Sequence, residues 1–163
     1  MFMRVNRTLG FSLVEVLIAL VVLAVGMLGI AALYVESLRS ARTALLRSQA
    51  IVLATDMGDR IRSNLAARAS YTKGADDAGT VTTACETAAT GCTSQQMAAH
   101  DIARWHQAVD SRLNSATSLP GGRGTIVVAA PSGGGLLWTY TISVTWDETN
   151  QTASNSYVLR IEA

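Results

Sequence analysis

Proline is nearly missing from this 163-residue chain. There are two, Pro120 and Pro131, so nothing before Pro120 demands a helix break. Cysteine is as scarce: Cys85 and Cys92 are too few for a disulfide-built scaffold. The two histidines, His100 and His106, stand six apart, which does not bring them to one helical face. They are expected at the surface and not as metal ligands. Neither sign of charge dominates, with 13 Lys+Arg against 12 Asp+Glu. That balance removes the electrostatic case for nucleic acid as the main partner. Arg104, Arg112 and Arg123 are separated, and aromatic interleaving is sparse, so no nucleic-acid binding is expected. No spacing of serines, histidines or acids specifies a triad, a metal site or a carboxylate pair. The chain is therefore expected not to be an enzyme and to carry no cofactor.

What is present is unevenly placed. Residues 11–33 form an apolar run whose only charge is Glu15. About twenty such residues suffice to cross a bilayer as a helix. Residues 1–10 carry Arg4 and Arg7 and no acid, which predicts a cytoplasmic N-terminus with the remainder outside. Ala19 and the stretch 24–26 could imitate a secretory cleavage site. However, the hydrophobic pattern runs on into an amphipathic helix with no break where a processed chain would begin. Glu15 is the costly residue, because a carboxylate inside a span costs about 2.5 to 3.5 kcal/mol on the insertion scale. It either snorkels to water at the membrane boundary or meets a cation. Cutting after Gly10 would create one, the new amine of Phe11, four residues away on the same face.

The stretch Gly10-Phe11-Ser12-Leu13-Val14-Glu15-Val16-Leu17-Ile18-Ala19-Leu20 resembles the class III leader junction of type IV pilins and type II secretion pseudopilins. The resemblance implies a prepilin peptidase that cuts between Gly10 and Phe11 and N-methylates Phe11. It also implies that Glu15 registers an incoming subunit against its neighbour during assembly.

Beyond the span, Leu38, Leu45, Leu53, Met57, Ile61 and Leu65 recur at helical intervals, with arginines largely off that stripe. One helix is predicted over 11–69, about 85 to 90 Å at 1.5 Å per residue. Gly26 and Gly29 are its soft points. Residues 70–94 read as an irregular loop holding Cys85 and Cys92. Outside the cytoplasm a local disulfide is the expected state, contributing about 2.5 kcal/mol; a metal site and free thiols are the alternatives. A second helix is predicted over 94–115, with Met97, Ile102, Trp105, Val109 and Leu113 on its apolar face. Asp101, Arg104, Asp110 and Arg112 fall on its polar side. A turn at 119–124 leads to strands predicted at 125–130, 137–146 and 156–162. The fold class is thus α+β: a long N-terminal helix packed on an antiparallel meander, with a short second helix in the connection. The expected organisation is leader 1–10, membrane or filament-core half 11–33, and periplasmic head 34–163. Within the head, 34–69 is helix, 70–124 the connecting region and 125–163 the meander.

Over most of its length the chain is similar to the PilV minor pilins of type IV pili. The similarity rests on Val21-Val22-Leu23-Ala24-Val25-Gly26-Met27-Leu28-Gly29, the Asp101-Ile102-Ala103-Arg104-Trp105 helix and the Pro120-Gly121-Gly122 turn. That family implies an inner-membrane precursor which joins other minor pilins and the major pilin, with a possible tip adhesin. It also implies priming of pilus assembly, a tip position, and support of twitching and adhesion. The mid-chain cysteine pair departs from many major pilins and puts a major-subunit role in doubt. A type II secretion pseudopilin and a DNA-uptake pilin are the competing readings.

Overall fold

A computed structural model of the chain describes residues 10–87, 91–110, 112–113, 119–132, 135–148 and 153–163. The leader through residue 9, with Arg4 and Arg7, lies outside them. The described elements run α1 (Leu13–Ser63), a 3-10 segment (Leu65–Tyr71), a 3-10 turn (Thr83–Cys85), α2 (Ser94–Val109) and strands β1 (Arg123–Ala129), β2 (Thr139–Trp146) and β3 (Asn155–Glu162). The chain divides into two compact units, Met1–Arg42 and Thr43–Ala163, with α1 contributing to both.

In the second unit the strands form one antiparallel sheet in the order β1-β2-β3, with Ile142 opposite both Ile126 and Leu159. Alternation along β2 puts Tyr140, Ile142, Val144 and Trp146 inside, as its period of two requires. The helix face that covers them keeps Leu53, Met57 and Ile61 of the predicted stripe and completes it with small residues in place of its other leucines. Leu46, Ala50, Ala54, Met57, Gly58 and Ile61 are buried, Leu53 is half-buried, and Leu38, Leu45 and Leu65 stay exposed. Small residues let the sheet come close: a Cβ on Gly58 would sit 3.3 Å from Leu159 Cδ2. Periodicity in large residues finds only part of such a face, because alanine and glycine carry the rest of the contact.

The α-helical part of α1 also stops earlier than the predicted residue 69. Asn64 turns its amide onto the Tyr71 hydroxyl (3.2 Å) and the Ser94 carbonyl (2.9 Å). Arg68 adopts a positive φ of 42°. This reversal buries Tyr71, whose hydroxyl donates to Asp101 Oδ2 at 2.9 Å, while Arg60 donates to Asp101 Oδ1 at 3.0 Å. Burial raises the Tyr71 pKa, and Asp101 ties α1, the 3-10 segment and α2 together. Asp101 was expected on the polar side of α2 and lies inside; so do His100, His106 and Asp110. The helix ends at Val109, with Asp110 extended and bridged to Leu119, which leaves Leu113 exposed. Its start is set by Thr93 and Gln96, a capping box that satisfies two backbone N–H groups.

Trp105 is the pivot of the head. Its indole N–H donates to the Leu53 carbonyl at 2.8 Å, and its ring lies against Gly124. Lys73, buried beside it, donates to the Gly124 and Gly74 carbonyls, each at 2.8 Å, and stands 5.9 Å from the ring centroid. A Cβ at position 124 would meet the indole at 2.4 Å. Gly124→Ala is therefore expected to lower stability by about 1–3 kcal/mol, read as an earlier urea midpoint of the full chain.

Asp110 makes the head acid-sensitive. Hydrogen bonds from the Arg112 guanidinium, joined by the Arg112 backbone N–H at 2.8 Å, hold its carboxyl down to about 2. A depressed carboxyl stabilises the fold above the unfolded value of 3.8, and this contribution fades as pH falls toward about 2. Burial, reinforced by the nearby Lys73 cation, lowers His106, so a separate loss begins as pH drops below its ordinary value of 6.5. Urea midpoints measured from neutral to about pH 3 should fall in both ranges. Asp110→Asn should flatten the lower one while steepening the upper, since the Asp110 carboxylate 3.7 Å from His106 holds that imidazole's pKa up.

Candidate functional site

The site expected from the sequence is the junction at the start of α1. Ser12 caps the helix through its carbonyl, which accepts from the Glu15 N–H at 3.0 Å and the Val16 N–H at 3.3 Å. Gly10 and Phe11 therefore lie in non-helical backbone just ahead of the first turn, and Phe11 is 83 % exposed. A Cβ built on Gly10 meets nothing within 4 Å. Among the described residues nothing obstructs the 10–11 peptide bond.

Glu15 sits in the first turn of α1, where the helix dipole favours a negative charge. Phe11, Glu15, Ala19 and Leu23 follow at steps of four, and with Val16 and Leu20 they line one open face. Its carboxylate is the lone charge on that face, and no ion pair to it occurs among the described residues. Phe11, whose nitrogen would become the N-terminus if the chain were cut after Gly10, lines that face together with Glu15. Leu13, Leu17, Val21, Leu28 and Leu33 are all more than half exposed. The helix is long and apolar enough there to cross a membrane.

The second pair of predicted site residues is joined: Cys85 and Cys92 form a disulfide with their Cα atoms 5.2 Å apart. Cys92 immediately precedes the Thr93 cap of α2, and Cys85 ends the short 3-10 turn. No cluster of three histidines, cysteines or acids able to hold a metal occurs among the described residues. The cations of the head are brought together differently from their sequence spacing. Arg112 and Arg123 both approach Asp76, at 3.4 and 3.7 Å, and Arg104 pairs with Glu86. Each is matched by an acid, which works against a basic nucleic-acid face.

Sequence reasoning missed Lys73, Tyr71 and Asp101 as organising residues. Only the Thr93–Gln96 spacing carried a readable local signal, since the others acquire their role from partners 30 or more residues away.

Residues 5–31 match the model of the prokaryotic N-terminal methylation motif, and residues 32–103 match the Tt1218-like model, type IV pilin Tt1218. No curated protein and no solved structure matches the chain.

Proposed function

We propose, from the premise that this chain is a type IV pilin with a class III leader, that it serves as a minor pilin. The methylation motif implies processing by prepilin peptidase and entry into a pilus-type filament, with anchoring in the membrane beforehand. In the proposed course the peptidase cuts after Gly10, and the new amine of Phe11 meets a Glu15 carboxylate, its own or a neighbour's. The apolar half of α1 then passes from bilayer to filament core with its single carboxylate neutralised. The head, 34–163, faces the periplasm before assembly and the cell exterior afterwards. Together with other minor pilins the subunit primes assembly, at the tip, and so supports twitching and adhesion. Its work is structural and not enzymatic.

One observation carries this reading: an exposed Gly–Phe bond opens an apolar helix whose face holds one carboxylate, four residues on. The mid-chain disulfide supports a minor over a major role. The test is a clean deletion, scored side by side for surface pili with twitching and for secreted enzyme. Lost pili with normal secretion is the expected result. Normal pili with blocked secretion would overturn the pilus role and assign the subunit to a type II secretion pseudopilus.

A further inference from the structure

The segment 79–86 lies as a strap along one side of α2. Gly79, at a φ of 65°, is pressed so closely that a Cβ would come within 2.8 Å of both the Ala99 carbonyl oxygen and the Ala103 nitrogen. The Thr80 N–H donates to the Ala99 carbonyl at 3.3 Å, and the Thr82 N–H donates to His100 Nδ1 at 3.1 Å. Accepting at Nδ1 leaves the ring proton on Nε2, which faces Glu86 Oε1 at 3.8 Å. Glu86 also pairs with Arg104, but both side chains are more than a third exposed, so this tie is weak. Beneath the strap Ile102 and Ala103 are 4 % and 3 % exposed.

The covalent tie is placed differently from these. Cys85 belongs to the strap, and Cys92 is anchored at the capped start of α2. The bond therefore fastens the far end of the strap to the helix it covers. These are the chain's two cysteines, so thiol chemistry can act nowhere else in it.

We propose that the Cys85–Cys92 disulfide is a redox-operated latch, which holds the strap on α2 when oxidised and frees it when reduced. The reductant is a dithiol. Its first thiolate attacks one sulfur of the Cys85–Cys92 bond, giving a mixed disulfide, and its second thiolate displaces that sulfur. Both cysteines end as thiols, having gained two electrons and two protons, and the dithiol, having lost them, leaves as a disulfide. Opening then uncovers Ile102, Ala103 and the His100 ring, a patch of α2 that the oxidised head keeps covered.

The experiment is amide hydrogen exchange on the full chain in detergent micelles, before and after dithiothreitol, with thiol alkylation to verify reduction. The Thr80 and Thr82 amides should exchange about tenfold faster or more after reduction. The Ile126 amide, which donates to the Lys73 carbonyl at 3.0 Å, should keep its rate. Unchanged Thr80 and Thr82 rates overturn the latch, and so does an equal acceleration at Ile126, which would make the bond a general staple. A Cys85→Ser/Cys92→Ser chain should reproduce the reduced pattern. If that variant does not accumulate, reduction of the already folded chain decides the matter alone. Neither readout involves pili, so the latch can fail while the minor-pilin reading stands.

Discussion

Replacing Gly10 with valine leaves the chain uncut and keeps it out of filaments. The membrane fraction then holds the uncut precursor, with processed product reduced by about tenfold or more, equivalent to at least about 1.4 kcal/mol at the cleavage step. The physical reason lies in the peptidase and not in the fold. A Cβ at Gly10 touches nothing within 4 Å, and Gly10 precedes the first turn of α1. Valine therefore costs the chain little stability, and its penalty appears where an enzyme must bring its own groups against the 10–11 bond. Immunoblots of membranes and sheared filaments, beside urea unfolding of the purified precursor, separate the two contributions. Normal cleavage of the valine variant contradicts the assignment of the junction.

Glu15→Val has an opposite pair of consequences. Removing the carboxylate relieves about 2.5 to 3.5 kcal/mol of insertion cost, so the precursor sits in the membrane at least as well as before. Cleavage at Gly10 continues, because the bond and its flanks are unchanged. Assembly is what fails. The Phe11 amine would enter the apolar filament core without its counter-charge, and an unpaired buried charge costs about 3–5 kcal/mol. Incorporation into sheared filaments should fall by about a hundredfold or more, while cleaved chain accumulates in the membrane. Glu15→Gln should fall on the same side, since it keeps the shape but not the charge. Wild-type incorporation of either variant would show that the carboxylate has no part in docking.

The contrast between these two residues and the head explains what could be read from sequence. The junction is local: Gly10, Phe11 and Glu15 are close in sequence, and the methylation motif matched over residues 5–31 spans all three. The apolar run of α1 and the alternation of Tyr140, Ile142, Val144 and Trp146 were legible for the same reason. The covered face of α1 was legible only in Leu53, Met57 and Ile61; Ala50, Ala54 and Gly58 make contact by being small, and a hydrophobic pattern weights residues by size. The end of α1 was equally hidden. Asn64 and Tyr71 break the helix to satisfy partners on α2 that lie 30 residues further on. His100, Asp101, His106 and Asp110 look like a solvated face until Arg60, Tyr71, Thr82 and Arg112 are found against them. Polar residues become core residues only when tertiary partners arrive, and their spacing along one helix carries no record of those partners.

The most direct measurement is the N-terminal mass spectrum of the chain recovered from sheared surface filaments. A polypeptide beginning at N-methylated Phe11 is the predicted result, since it requires cleavage after Gly10, methylation and incorporation together. A chain found only in membranes at full length, or one beginning beyond Ala24 as a secretory peptidase would leave it, contradicts the assignment.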